Sequence, residues 1–255
     1  MALAASFDQN NMDQNALLRQ LVDCLDKICE KIAEKFNLYD SHGRARKALI
    51  MDALMKYGCY GCIIKVLTEQ KDSRADAIYI ENHALAVNLL IEMLRYKFNV
   101  NNLPLNVLGE FNGNFGRMDI VIIPTTSGVI LESKNREVIV EVKTGKTFSY
   151  AQLFRYLFGK PNAIIILWRV IERQVIVLEG KKLQNLLMLC VAVAIHRGLS
   201  ILNVPNATCN HHLNCNKRAA INDPQKLVED FMENLQKGLS KIVETVLSLL
   251  NQEGI

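Results

Sequence analysis

The run Val138-Ile-Val-Glu-Val-Lys143 sets a carboxylate and an ammonium side by side in an otherwise apolar stretch. Alternate strand side chains point to opposite faces, so Val138, Val140 and Val142 share one face, and Ile139, Glu141 and Lys143 the other. Burying such a pair is expensive unless other groups offset it, and a metal ion with a phosphate would do so. An E-x-K tripeptide is uninformative by itself. The chain has it at Glu69/Lys71, Glu132/Lys134, Glu141/Lys143 and Glu179/Lys181. Context selects among them. Glu69 lies in a polar break and Glu179 at a strand-to-helix turn. Glu132 ends a short apolar run and stands with Lys134 as a rival. Glu141 is inside a continuous apolar strand that leads through Thr144-Gly145 into a helix.

Upstream, Gly116-Arg-Met-Asp-Ile-Val-Ile122 opens a strand at Asp119, which an apolar hairpin joins to the Glu141 strand. Two carboxylates at neighbouring strand ends can hold a hard divalent cation through oxygen. Downstream, Gln152 and Tyr156 are spaced to share one face of a short helix. Arg117, Lys146, Arg155 and Lys160 surround these residues and could contact phosphates, a sequence-independent and salt-sensitive mode of binding.

In this order, Gly116-x-x-Asp119, then Glu141-Val142-Lys143-Thr144-Gly145, then Gln152-x-x-x-Tyr156 resembles the PD-(D/E)XK nuclease superfamily, in particular its RecB-like branch. The motif-bearing part covers residues 110–156. The helical decorations at both ends also resemble those of small nuclease-like proteins of archaeal viruses. The resemblance implies a restriction-endonuclease-like fold and a Mg²⁺ or Mn²⁺ ion on Asp119 and Glu141, with the Val142 carbonyl as a further ligand. It implies that Lys143 orients the attacking water and stabilises charge on phosphorus, and that hydrolysis leaves a 5′-phosphate. Gln152 and Tyr156 would position the strand or the Lys143 side of the site. A further ligand often comes from the first strand or the preceding helix, for which Glu110, His83 and Glu81 are candidates. The literal proline of the family name is absent, because Met118 precedes Asp119.

The elements that must position these residues follow from periodicity. The first hundred residues read as helical, with Leu17, Leu18, Leu21, Val22, Leu25, Ile28, Ile32 and Phe36 at helical spacing. A second helix is expected over 45–68 and a third from Asp72-Ser73 to Phe98. Strands are expected over 104–111, 117–123, 129–131, 138–143, 163–168 and 175–178, with a helix over 148–158 after the fourth. The segment 183–195 is almost wholly apolar, which predicts a helix buried on all sides. Residues 203–222 read as a polar loop. Pro224 opens a long amphipathic helix with Leu227, Phe231, Leu235, Leu239, Ile242, Val246 and Leu249 along one face. The expected architecture is one elaborated α/β domain: helical 1–100, a mixed-sheet core in 101–200, and a loop and helical tail in 201–255.

Composition bounds the function classes. The 255 residues are 50% hydrophobic and 22% charged, which excludes disorder as the overall state. No apolar run reaches the length of a membrane span and no signal peptide is read at the N-terminus, so an intracellular protein is expected. A net charge of +4 permits a nucleic-acid partner without requiring one. Nothing reads as a base-recognition helix or finger, so DNA would be recognised by backbone or structure. The same fold acting only as a nucleic-acid or protein-binding module is the alternative to an enzyme. The long amphipathic helices offer a surface for a homodimer, although 227–249 can equally pack on its own sheet.

Two decoys are set aside. Gly145-Lys146-Thr147 has the end of a phosphate-binding loop, but Val140 stands where its first glycine belongs. Cys209-Asn-His211-His212-Leu-Asn-Cys215 has zinc-ligand residue types at a spacing that suits no standard site. The seven cysteines are expected to be mostly thiols, with Cys59 and Cys62 as core thiols or a local disulfide.

Overall fold

A computed structural model describes residues 2–68, 77–113, 116–125, 137–145, 150–203 and 224–253. Four helices come first: α1 (Ala2–Phe36), α2 (Lys47–Lys56), α3 (Tyr60–Thr68) and α4 (Ala77–Val100). They lead into β1 (Leu105–Gly113), β2 (Gly116–Pro124) and β3 (Val138–Lys143). After α5 (Tyr150–Gly159) come β4 (Ile164–Arg169), β5 (Gln174–Glu179), α6 (Gly180–Asn203) and α7 (Pro224–Glu253). The strands form one mixed sheet in the order β1-β2-β3-β4-β5, antiparallel except for the β3–β4 pair. A parallel pair needs a crossover, and α5 supplies it.

The alternation read from the sequence sorts the two sheet faces. Val138, Val140 and Val142 of β3, with Ile164, Ile166 and Trp168 of β4, pack under α4 and α7. Ile139, Ile165 and Leu167 face the other layer, built from α1, α2, α3, α5 and α6. Each fully buried aliphatic side chain contributes about 1.5–3 kcal/mol. The central strands β3 and β4 are apolar on both faces, so Glu141 is the exception that needs an explanation.

Several elements depart from expectation. The segment 45–68 breaks into α2 and α3 around Tyr57-Gly58-Cys59, and Arg197 of α6 donates to the Leu54 and Met55 carbonyls where α2 ends. The helix expected after Asp72-Ser73 is described from Ala77 onward, and residues 69–76 lie outside the described residues. The strand expected over 129–131, the Glu132/Lys134 rival, Glu69/Lys71 and the Cys209–Cys215 segment lie outside the described residues. Cys59 is half-buried and Cys62 buried, both as thiols.

The largest correction concerns the apolar helix. It runs from Gly180 to Asn203 and buries Leu187, Val191, Ala194, Gly198 and Ile201, but leaves Leu186, Leu189 and Leu199 exposed. It lies on the outside of its layer and has neighbours on one face only. Among the described residues it is the one helix long and apolar enough to cross a membrane by length and composition. Its packed face is nonetheless fixed in the domain. Gln184 donates to Asn15, and Lys35 donates to the Ile201 and Leu202 carbonyls that the helix end leaves unpaired.

Gly180 carries the turn from β5 into this helix. A Cβ there would stand 2.2 Å from the Pro161 carbonyl oxygen and 2.9 Å from Leu157 Cδ2. A backbone oxygen cannot swing aside, so Gly180→Ala is expected to lose about 1–3 kcal/mol in urea unfolding. An unchanged midpoint would show that the turn is looser than drawn.

Candidate active site

The β2–β3 ladder pairs Ile122 with Val138, Val121 with Ile139 and Ile120 with Val140, and goes no further. Beyond that point the strands part. Asp119 turns its side chain into the gap, where Oδ2 accepts the Val142 N–H at 2.7 Å. The carboxylate thus replaces a missing ladder partner for a buried amide. Its other oxygen, Oδ1, lies 3.2 Å from His83 Nε2, which reaches it from α4 in the opposite helical layer. Asp119 has a side chain only 14% exposed.

Glu141 is fully buried on the central strand, at 0% exposure. Both carboxylate oxygens are engaged. Oε1 accepts from Lys143 Nζ at 2.6 Å and from Gln152 Nε2 at 2.6 Å. Oε2 lies 3.2 Å from the Tyr156 hydroxyl. Gln152 is locked at each end: Oε1 accepts from Lys143 at 2.8 Å, and Nε2 also donates to the Tyr156 oxygen at 2.7 Å. The single Tyr156 proton is divided between the Arg117 carbonyl at 2.6 Å and Glu141 Oε2 at 3.2 Å. The four-residue spacing on α5 therefore delivers two polar side chains onto one buried carboxylate, while Leu153 and Leu157 of the same helix pack into the apolar layer.

These contacts set the electrostatics. Burial pushes the Glu141 carboxyl up to about 7, and the nearby Asp119 charge adds to the rise, while Lys143 and Tyr156 oppose it. His83 is raised above its ordinary value by its hydrogen bond to Asp119, against the effect of burial. Burial and the Glu141 charge raise Tyr156, which stays a neutral donor. The Asp119 charge raises Glu141, and Lys143 on Glu141 offsets it only in part.

The donor set fits a hard cation. Asp119 and Glu141 supply carboxylate oxygens from adjacent strands, and Val142, between Glu141 and Lys143, adds a main-chain carbonyl to the set. Among the described residues no three His, Cys, Asp or Glu side chains group at metal-holding distance. A cation here would therefore rest on two carboxylates completed by water or phosphate oxygens, the usual habit of Mg²⁺.

The other sequence candidates fall elsewhere. Glu110 is exposed, sits at the positive φ of 49° and pairs with Arg117. Glu81 is exposed. Lys160 pairs with Glu137 and lies over the Phe111 ring, 5.6 Å from its centroid. Lys146 is outside the described residues. Arg155, expected at a phosphate, is instead 5% exposed and holds Asp52 of α2 through Nε at 2.9 Å and Nη2 at 3.1 Å. Its place on the inner face of α5 is what takes it out of reach of solvent.

That pairing explains Gly116. A Cβ at Gly116 would meet Arg155 Nη1 at 2.7 Å, and its φ of +137° favours glycine independently. The glycine of the G-x-x-D motif thus makes room for the guanidinium that ties α5 to α2. Asp52 was missed in the sequence. Its only signal there is a charge in the apolar run Leu49-Ile-Met-Asp-Ala-Leu54.

No family model, curated protein or solved structure matches the chain. The site must therefore be read from its own geometry.

Its clearest signature is electrostatic. A carboxyl raised above its unfolded value binds a proton more tightly in the native state. Its contribution is complete below the unfolded value and is lost as pH rises through the folded one. Glu141→Gln has no such proton to lose. In EDTA, the wild type is expected to lose on the order of 1–3 kcal/mol relative to Glu141→Gln between pH 5 and pH 8. Parallel pH profiles of the two proteins in chemical unfolding would contradict the placement of Glu141.

Proposed function

We propose that the chain is a Mg²⁺- or Mn²⁺-dependent nuclease of the PD-(D/E)XK type, RecB-like in its motifs and restriction-endonuclease-like in its core, acting on DNA inside the cell. The observation that carries the reading is the convergence of Asp119, Glu141, Lys143, Gln152 and Tyr156 from three separate sequence motifs onto one end of the central strand pair. An ordinary sheet has no use for a buried carboxylate there, and a structural ion pair has no need of a glutamine and a tyrosine to orient it.

In this reading Asp119 and Glu141 hold the cation together with the Val142 carbonyl. When bound, such an ion lowers the pKa of water and clamps phosphoryl oxygens. The protein's own groups do the rest. Lys143, whose side chain is 20% exposed, presents its ammonium toward the charge that builds on the phosphoryl oxygens. Gln152 bridges that ammonium and the Glu141 carboxylate and sets their positions relative to each other. Tyr156 holds the start of β2 against α5 through the Arg117 carbonyl. His83 reaches Asp119 Oδ1 from α4 and holds that carboxylate in place. Arg117, with a side chain 57% exposed, is the described cation best placed to meet a nucleic-acid backbone beside this site.

A pure binding module is the second reading. It is favoured by the fact that both Glu141 oxygens already have protein partners. Cleavage assays on single-stranded, duplex and branched DNA, with Mg²⁺, Mn²⁺ or EDTA, separate the two. Metal-dependent cleavage is expected, reduced at least ~10²-fold by Asp119→Ala, Glu141→Ala or Lys143→Ala and ~10-fold by Gln152→Ala. Cleavage that survives the first three substitutions overturns the site. Binding without cleavage of any substrate favours the module.

A further inference from the structure

Strands β3 and β4, the parallel pair of the sheet, end together. Lys143 and Arg169 are register partners at that end, and the Val170 N–H donates to the Lys143 carbonyl at 2.9 Å. Neighbouring strands lie about 4.8 Å apart, so the two cations leave the sheet side by side. They also leave it on the same face. Val142, Trp168 and Val170 pack into the layer of α4 and α7. Lys143 and Arg169 alternate with them and therefore point to the α5 side, as Glu141 does. The carboxyl ends of parallel strands are where open α/β sheets bind their ligands.

Two like charges set directly across a strand pair repel each other. Each of these is held by its own acceptors. Lys143 donates to Glu141 and Gln152. Arg169 donates through Nη2 to Glu172 at 2.6 Å and through Nη1 to Gln174 at 3.1 Å, which come from the β4–β5 turn and the start of β5. The Arg169 side chain is 19% exposed, as sheltered as that of Lys143 at 20%, whereas its acceptor Glu172 is 33% exposed. Held through both terminal nitrogens, the guanidinium keeps a fixed plane, and a planar fork of this kind suits phosphate oxygens.

We infer that Arg169 binds a phosphate of the substrate strand next to the one that Lys143 faces, and that Glu172 holds the guanidinium until that phosphate replaces it. The inference rests on the proposed function and deepens it. The strand runs across the ends of β3 and β4, from Lys143 to Arg169, so the substrate is a polynucleotide with a second phosphate beside the cut rather than a single esterified phosphate. The contact carries no base information. Arg169 touches no reacting atom, so its loss weakens binding and leaves the chemical step alone.

Fluorescence anisotropy of a short labelled single-stranded DNA, titrated in EDTA at several salt concentrations, tests this without need of cleavage. Arg169→Ala is expected to bind at least ~10-fold more weakly, with a salt slope shallower by about 0.7, the value for one phosphate contact on a single strand. Arg169→Lys should keep the slope and recover part of the affinity. Glu172→Gln should bind more tightly than the wild type, but not when Arg169 is alanine as well. A pair that only braces the turn would move binding in neither variant, once circular dichroism shows both to be folded. In cleavage, Arg169→Ala should raise KM and leave kcat within about twofold, whereas Lys143→Ala lowers kcat. Unchanged affinity and slope in Arg169→Ala, or a Glu172→Gln gain that persists without Arg169, would overturn the inference. Metal-dependent cleavage by the wild type beside either result leaves the proposed function standing. Arg169-dependent binding without cleavage of any substrate overturns the nuclease and keeps the phosphate subsite. A wild type that binds no DNA overturns both.

Discussion

Glu141 holds a carboxylate at the centre of a sheet where both neighbouring strands and both helical layers are apolar, and much of the surrounding architecture serves to make that tolerable. An isolated charge in such a place would neutralise or unfold the protein. Here the lysine two residues on, a glutamine and a tyrosine from one face of α5, and the splaying of β2 away from β3 together satisfy it. The compensation is incomplete. The carboxyl remains far above its ordinary range because burial strips it of solvent and Asp119 adds a second negative charge nearby. Perturbed carboxyls of this kind cluster at functional sites, which is why the proposed function centres on Glu141.

The same constraint orders the supporting elements. α5 must sit at a fixed height over β3 for Gln152 and Tyr156 to reach Glu141. That height is set from outside, by Arg155 on Asp52 of α2 and by Tyr156 on the Arg117 carbonyl. Gly116 is the point where these clamps meet the strand. On the opposite face, α4 contributes His83 to Asp119 and packs on β1 and β3. The candidate site is therefore held from both layers, although its residues come mainly from two strands and one helix.

Much of this was legible in the sequence, for physical reasons. The period-two alternation of 138–143 fixed which face Glu141 occupies, and the four-residue spacing of Gln152 and Tyr156 fixed their common direction. Both are local rules that tertiary structure did not override. What failed was non-local. Arg155 reads as a cation near a phosphate site, and only the approach of α2, a hundred residues earlier in the chain, makes it a buried partner of Asp52. The apolar run 183–195 reads as buried on all sides, yet whether a helix has neighbours on one face or two depends on its place in the layers, which periodicity does not encode. The rival Glu132/Lys134 was separable from Glu141/Lys143 only by context, and its segment lies outside the described residues.

The central claim is that Asp119 and Glu141 together hold a divalent cation. Its most direct test is a crystal grown with Mn²⁺ and read by anomalous scattering. The account predicts one strong peak in contact with a carboxylate oxygen of each residue, with the Lys143 ammonium shifted off Glu141, and no such peak in Glu141→Gln. A peak at a different cluster, or density at this site that still shows Glu141 bound only to Lys143, Gln152 and Tyr156 at saturating Mn²⁺, would contradict it.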